Sequence, residues 1–257
     1  MNMKKFLMLC TLTAASLTGL QAQQTQVIAH RGFWDTAGSA QNSIAALEKA
    51  AEAKVYGSEF DVQLTKDNVV VVNHDSSING YIIADTPYSK LKTLKLKNGE
   101  NLPSLEAYLD KGKTLPDIQL ILEIKPHKTK EQEDIIVQKV VEMVKQRGME
   151  KQVEYISFSL YVCEQLVKLT PGSQIAYLEG DLSPEEVKAK GMTGIDYAYK
   201  VFRKHPEWVK QAHDLGLSTN VWTVNGEKKL KKMIDLKVDY ITTNQPLLAT
   251  ELINGQK

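Results

Sequence analysis

Three acidic side chains have the types and spacing expected of a metal site. Glu59 and Asp61 lie two residues apart in the β-rich run Gly57–Val62, so on a strand they would point to the same face. Glu123 lies near the end of a second apolar run, Leu120–Ile124. A buried carboxylate without a partner is costly, and a cation is the usual remedy. Since these residues offer only oxygen ligands, they predict one divalent cation, Mg²⁺ or Ca²⁺ rather than Zn²⁺.

Imidazole and basic side chains follow other strand-like runs. His30 and Arg31 come directly after Val27–Ala29, His74 follows a further apolar run, and Lys125 lies two residues beyond Glu123. An imidazole titrates near neutral pH and suits general acid–base catalysis. A guanidinium can bind a phosphate through two hydrogen bonds. Metal ligands, cations and two histidines together favour phosphoryl chemistry.

Spacing alone leaves alternatives open for these residues. The three carboxylates could form a salt-bridge network with Arg31 and Lys125 instead of a metal site. Trp222 ends another predicted strand, where it could form a wall of the site or pack in the core. A zinc hydrolase is disfavoured because the sequence contains no H-x-H pair.

The elements that must position these residues alternate between strands and helices. Strand–helix alternation of this length is typical of a parallel sheet covered by helices, and eight main strands predict a single (β/α)8 TIM barrel. The alternative is an open doubly wound sheet, but the glycine-rich G-x-G-x-x-G loop usual in that fold is absent. A further run, Val69–Val72, is predicted to be a strand outside the main set. The predicted main strands are Val27–Ala29, Gly57–Val62, Leu120–Ile124, Val153–Ser157, Gln174–Leu178, Gly194–Tyr197, Ser218–Trp222 and Tyr240–Thr242, and the predicted helices are Ser43–Lys54, Lys130–Gln146, Leu160–Leu169, Pro184–Lys190, Pro206–Leu215, Glu227–Leu236 and Pro246–Ile253.

Residues 1–22 have the layout of a secretory signal peptide. Lys4 and Lys5 precede an uncharged stretch, Phe6–Leu20, and Ala22 occupies a suitable cleavage position. A membrane anchor is the alternative, but the stretch is short and interrupted by hydroxyl residues. We therefore expect a secreted, periplasmic protein without a stable membrane anchor, whose barrel domain spans residues 23–257.

Composition is that of an ordinary globular protein. Of the 257 residues, 42% are hydrophobic and 25% are charged, which excludes a disordered or fibrous chain. Without residues 1–22 the basic and acidic side chains are almost equal in number, so nucleic acid is not an expected partner. Only Cys163 would remain after cleavage, so no internal disulfide can form.

The order of the motifs resembles the glycerophosphodiester phosphodiesterase family. The resemblance runs from Val27 to about Leu252. It is carried by the segments His30–Gly32, Gln41–Ser43, Glu59–Asp67, Val72–Asp75, Leu102–Glu106, Leu122–Lys125, Val221–Asn225 and Asp239–Pro246.

This resemblance implies a TIM barrel that hydrolyses small-molecule glycerophosphodiesters to sn-glycerol 3-phosphate and an alcohol. It implies that Glu59, Asp61 and Glu123 hold one divalent ion, usually Mg²⁺ or Ca²⁺. The remaining implied roles are acid–base catalysis by His30 and His74, phosphate binding by Arg31 and Lys125, and a place near the substrate pocket for Trp222.

Three positions depart from the family pattern. An acidic residue is usual where Gln41 stands, and an aspartate is frequent where Asn244 stands. The segment Ser76–Gly80, which follows His74 and Asp75, lacks the usual proline and arginine. These departures concern metal affinity and substrate choice, because the proposed ligands and histidines are all present.

Two other functions share parts of this pattern. A phospholipase D-like or sphingomyelinase D-like lyase would use the same barrel and the same histidine pair, and it would release only a cyclic phosphate. A non-catalytic barrel that binds a phospholipid or sugar phosphate would be expected to lack a histidine or a carboxylate, and no such loss occurs here.

Overall fold

Eight parallel β-strands close into a barrel in the computed structural model, which describes residues 24–255. The first barrel strand pairs with the second on one side and with the last on the other. The eight strands predicted from the sequence are thus confirmed, and so is the TIM barrel. The strands are β1 (Gln26–Ala29), β2 (Gly57–Leu64), β3 (Val70–Val72), β4 (Ser77–Ile78), β5 (Tyr81–Ile82), β6 (Gln119–Ile124), β7 (Val153–Ser157), β8 (Ile175–Tyr177), β9 (Gly194–Ala198), β10 (Ser218–Trp222) and β11 (Tyr240–Thr243).

Side chains alternate between the two faces of each barrel strand. The outward residues, such as Phe60, Leu122 and Tyr155, belong to the large apolar core between the barrel and its helices. Burial of each such side chain contributes about 1.5–3 kcal/mol. A smaller apolar cluster, which includes Ile28 and Ile121, fills the barrel interior. Because the interior positions alternate with the outer core, Glu59, Asp61 and Glu123 on β2 and β6 must face inward.

Helices cover the barrel, and several begin at a side-chain cap. Ser43, Ser104, Thr129, Ser159 and Ser183 each accept a hydrogen bond from a backbone N–H in the first turn. The seven predicted helices are all present. The helices are α1 (Ile44–Glu52), α2 (Tyr88–Leu91), α3 (Leu105–Lys113), α4 (Lys130–Gln146), α5 (Leu160–Leu169), α6 (Pro184–Ala189), α7 (Tyr199–Lys204), α8 (Glu207–Asp214), α9 (Glu227–Asp235) and α10 (Pro246–Asn254).

An insertion separates β2 from α3, the helix that covers it. Residues 65–104 contain β3, the β4–β5 hairpin, a 3₁₀ turn and α2. The predicted extra strand is β3, which runs antiparallel to β2. The insertion has a small core of its own, formed by Val71, Ile78, Ile83, Leu91 and Leu102. It therefore stands as a folded cap beside the carboxyl ends of β1, β2 and β6.

Two remaining points concern the predicted signal peptide and membrane-crossing helices. The predicted signal peptide, residues 1–22, lies outside the described residues. Within residues 24–255, no helix combines the length and apolar character needed to cross a bilayer.

Candidate active site

The three predicted acidic ligands meet at the carboxyl ends of two adjacent strands. Asp61 on β2 pairs in register with Glu123 on β6, and Glu59 lies one inward position earlier on β2. One oxygen from each side chain lies within 4.8 Å of the others. All three residues are buried, with exposed fractions of 3%, 1% and 7% for Glu59, Asp61 and Glu123. The geometry thus forms one compact cluster of carboxylates.

Lys125 supplies the nearest positive charge to this cluster. Its Nζ lies 3.0 Å from Oδ1 of Asp61 and 2.8 Å from Oε1 of Glu123. Arg31 is farther away, with Nε 3.8 Å from Oδ2 of Asp61. Oε1 of Glu59 has no hydrogen-bond partner among the described residues. The salt-bridge network considered above exists, but it leaves three carboxylates against two cations, with Glu59 least compensated.

The pKa values reflect this imbalance. Burial and the neighbouring charges of Asp61 and Glu123 raise the pKa of Glu59 well above its usual range. Burial and Asp61 likewise raise the pKa of Glu123 to about 7. Burial opposes ionisation of Asp61 as well, but the charges of Lys125 and His74 and the hydrogen bond from Asn42 together outweigh it and lower the pKa of Asp61. A further cation would relieve the repulsion among these groups, so the donor set fits a divalent metal.

His30 is held in one orientation by Asn244. Nδ1 of His30 lies 2.8 Å from Oδ1 of Asn244, which also accepts a hydrogen bond of 3.2 Å from Nε1 of Trp34. Because this oxygen is an acceptor, Nδ1 carries the proton and Nε2 carries the lone pair. Burial, followed by the charge of Arg31, lowers the pKa of His30 to about 4. The imidazole is therefore neutral near pH 7 and presents an unprotonated Nε2, which lies 3.9 Å from Oε2 of Glu59.

His74 lies in the loop that follows β3. Its Nδ1 is 2.8 Å from Oδ1 of Asp75, so the carboxylate accepts the Nδ1 proton and leaves Nε2 available to a ligand. His74 and His30 line the same pocket from opposite elements, the insertion and β1. Together they can act on two sides of one bound group.

A strained turn after β1 positions Arg31. Arg31 has a φ of 56° and is followed by Gly32 with a φ of 74°. A Cβ on Gly32 would lie 2.6 Å from the Cβ of Ala46, so only glycine allows this approach of α1. The backbone N–H of Arg31 donates to Oε2 of Glu59 at 2.7 Å, and Nη1 donates to Oε1 of Gln41 at 2.7 Å. Gln41, one of the departures from the family pattern, thus holds the guanidinium without adding negative charge.

Asn42 is a site residue for which sequence reasoning gave no role. Its Nδ2 donates to Oδ2 of Asp61 at 2.8 Å, and its Oδ1 accepts from the backbone N–H of Asp61 at 3.1 Å. Asn42 adopts a φ of 60° and is buried. An asparagine tolerates this conformation better than most residues, which is the signal that could have identified it.

The site opens into a pocket of about 110 Å³ at the carboxyl end of the barrel. Seven of the eight predicted site residues line it, and Asp61 lies behind Lys125. The wall opposite the charged residues is apolar and includes Trp222, which contacts Phe158 edge to face at 5.4 Å between ring centroids. The sequence gave no reason to choose the other lining residues, Ile156, Phe158, Leu178, Asp196, Thr223 and Thr242.

The third departure, Ser76–Gly80, forms part of the β4–β5 hairpin. A larger cleft of about 670 Å³ lies beside it, lined by Trp34, Gln41, Asp75 and Lys95 among others. Gln41 and Asp75 are the residues that hold Arg31 and His74, so this cleft adjoins the site on the insertion side.

Comparisons with known proteins point to one enzyme family. The glycerophosphoryl diester phosphodiesterase family model matches residues 30–248. A glycerophosphodiester phosphodiesterase from Caldanaerobacter subterraneus is 28% identical over 90% of this chain and 98% of its own length.

Solved structures extend the likeness to the whole barrel. The crystal structure of a glycerophosphodiester phosphodiesterase from Parabacteroides distasonis is 49% identical, with a TM-score of 0.90 over 91% of this chain and 98% of its own. Another, from Thermotoga maritima, is 27% identical with a TM-score of 0.71 over 89% of this chain and 98% of its own. The chain therefore belongs to the glycerophosphoryl diester phosphodiesterase family of enzymes.

Proposed function

We propose that this enzyme hydrolyses glycerophosphodiesters to sn-glycerol 3-phosphate and an alcohol, with one bound Mg²⁺ or Ca²⁺. The observation that carries the proposal is the buried cluster of Glu59, Asp61 and Glu123 beside two histidines in one pocket. An Oleispira antarctica phosphodiesterase with the same fold, 23% identical and with a TM-score of 0.77, has been solved in complex with the product sn-glycerol-3-phosphate. That complex supports the assignment of the product class.

Glu59, Asp61 and Glu123 would hold the ion through carboxylate oxygens. When bound, a divalent ion supplies positive charge that stabilises the phosphate oxygens in the transition state. Asn42 and Lys125 would keep Asp61 oriented in the cluster, through contacts of 2.8 and 3.0 Å. Glu59 is oriented by the backbone N–H of Arg31.

Arg31 and Lys125 would bind the phosphate. Both line the pocket, and Gln41 fixes the guanidinium through a neutral amide, which leaves the full charge of Arg31 available to an anion. Nε of Arg31 is buried and lacks a hydrogen-bond partner among the described residues. A phosphodiester oxygen would satisfy that donor.

His30 would act as the general base and His74 as the general acid. The lone pair on Nε2 of His30 can accept a proton from the nucleophile, since Asn244 keeps the proton on Nδ1. His74, backed by the carboxylate of Asp75, can deliver a proton to the departing alkoxide through Nε2. The nucleophile is either water or the neighbouring glycerol hydroxyl; the second route gives a cyclic phosphate that is then opened.

A substrate panel tests this proposal. The purified protein is incubated with glycerophosphodiesters and lysolipids, with and without divalent ions, and the products are followed by phosphorus NMR. We expect metal-dependent release of sn-glycerol 3-phosphate. A cyclic phosphate as the sole end product would instead identify a phospholipase D-like or sphingomyelinase D-like lyase, and binding without turnover would identify a non-catalytic barrel.

We also propose that residues 1–22 direct export and are removed after Ala22, which would place the enzyme in the periplasm. The support is the positive start, the uncharged apolar stretch and the small residue before the cleavage point. The intact mass of protein recovered from the periplasmic fraction tests this. A chain that begins at Gln23 is expected, whereas an uncleaved chain retained in the cytosol or membrane would contradict it.

A further inference from the structure

Asp196 is a buried acid in the pocket that the proposed chemistry does not use. It lies on β9 at an inward position, has an exposed fraction of 1% and lines the pocket beside Trp222. Its Oδ1 has no hydrogen-bond partner within residues 24–255. A buried carboxyl oxygen left in this way carries a desolvation cost that a hydrogen-bond donor from a ligand would offset.

The surroundings of Asp196 make this cost larger. Burial, and then the charge of Glu123, raise the pKa of Asp196 well above its usual range. Asn220 is its register partner on β10 and compensates only in part. Nδ2 of Asn220 also donates to Oγ1 of Thr242 at 3.0 Å, so this amide is shared between two acceptors.

The backbone beneath Asp196 is fixed. Nε1 of Trp222 donates a hydrogen bond to the backbone carbonyl of Asp196 at 2.9 Å. This bond holds the indole ring against the carboxyl end of β9. Leu178 and Phe158 flank the indole on the apolar wall. Asp196 is thus an acid on the largely apolar side of the pocket, opposite Arg31 and Lys125.

This division of the pocket suits a ligand with a charged end and a hydroxylated carbon chain. The phosphate would occupy the side lined by Arg31, His30 and Lys125. The carbon chain would pack against the apolar wall, where the carboxyl group of Asp196 can accept a hydrogen bond from a hydroxyl group. A site built to bond a hydroxyl discriminates strongly against an analogue that lacks it, because the buried polar group then stays unpaired.

Resting on the proposed function, we propose that Asp196 determines specificity by accepting a hydrogen bond from a glycerol hydroxyl of the substrate. Asp196 takes no part in proton transfer to the phosphodiester. Its effect is to select a polyol phosphate over an alkyl phosphate of the same length and charge.

Ligand binding tests the inference independently of turnover. The dissociation constants of sn-glycerol 3-phosphate and n-propyl phosphate are measured by calorimetry in the presence of Mg²⁺. The wild-type protein should bind the glycerol compound at least about 10-fold more tightly, which is what one hydrogen bond to a buried and otherwise unpaired oxygen supplies. In Asp196→Ala this preference should fall to about 2-fold or less, with the affinity for n-propyl phosphate little changed.

Two further variants serve as controls. Asp196→Asn keeps an acceptor oxygen and should retain part of the preference. Glu154→Gln alters a half-buried acid that faces the barrel interior but does not line this pocket, and should retain all of the preference. Circular dichroism and thermal melting check that each variant is folded.

The inference is wrong if the wild-type protein binds both compounds equally or binds neither. It is also wrong if the folded Asp196→Ala variant keeps the preference, or loses affinity for both compounds alike. A parallel hydrolysis assay separates this from the proposed function. Absence of turnover with an intact binding preference would count against the enzyme activity, while turnover without a preference would count against Asp196.

Discussion

Acidic side chains face the barrel interior at both ends, but their surroundings differ. At the amino end, half-buried Glu154 accepts a hydrogen bond from the hydroxyl of Tyr56, whose ring packs at a tilt of 35° against Tyr240, with 4.7 Å between centroids. At the carboxyl end, Glu59 and Asp196 each have a buried oxygen without a partner in the described part of the chain. An acid paired with a local donor is explained by the fold itself. The unpaired carboxylate oxygens at the other end are available to a ligand, as expected at the functional end of the barrel.

The largest effect expected from this contrast follows loss of the metal site. Glu59→Gln should lower kcat/KM for a glycerophosphodiester by about 10³-fold or more, because the stabilising charge of the ion is lost. Chelation should abolish wild-type activity, and added Mg²⁺ or Ca²⁺ should restore it. The matched change at the amino end, Glu154→Gln, should leave the rate within about 2-fold. Equal losses in both variants would remove the distinction between the two ends.

The next largest effect concerns the histidines. His30→Ala and His74→Ala should each lower kcat by about 10²–10⁴-fold while the fold is retained, since a positioned acid or base is lost. His205→Ala serves as the control, because His205 lies away from the pocket, beside Glu207. Steady-state kinetics with matched circular dichroism spectra check this. A near-normal rate in either pocket variant would contradict its role.

A smaller effect is expected at Asn244, a positioning residue. Asn244→Ala should lower kcat by about 10-fold, the worth of one hydrogen bond, with little change in KM. The second readout is ¹⁵N NMR of the His30 ring, which should lose its single Nδ1-protonated tautomer. A slower enzyme with an unchanged tautomer would indicate that Asn244 acts through packing alone.

The smallest effect concerns stability at the amino end. Burial raises the pKa of Glu154, although the Tyr56 hydrogen bond opposes the shift. A carboxyl group with a raised pKa stabilises the fold at acid pH, and this contribution is lost as the pH rises through the folded-state value. Urea unfolding should therefore show the largest advantage of wild type over Glu154→Gln at acid pH. At pH 7 the two should differ by about 1 kcal/mol or less. An advantage that grows toward alkaline pH would contradict this sign.

Sequence patterns were enough for the barrel and for the placement of the predicted site residues. Each barrel strand is a short apolar run, and Glu59, Asp61 and Glu123 stand at inward positions near the ends of two such runs. Once the strands are parallel, their carboxyl ends must meet, so proximity follows from topology. The roles of these residues remain predictions.

Other parts of the structure could not be predicted because their signals were weak or depended on tertiary contacts. Helix α3 contains Gly112 and two lysines and is short, and α7 follows β9 without a break. Asp196 lies within a strand and belongs to no recognisable motif. The proposed role of Asp196 depends on its neighbours Glu123 and Asn220, which only the folded structure brings beside it.

The central claim is that the three carboxylates bind one divalent ion. A crystal soaked in Mn²⁺, measured at the manganese absorption edge, tests it most directly. We expect one anomalous peak ligated by Glu59, Asp61 and Glu123 in the wild-type enzyme, and none at that position in Asp61→Asn. A wild-type map without a peak among these carboxylates, with Lys125 still bridging Asp61 and Glu123, would contradict the account.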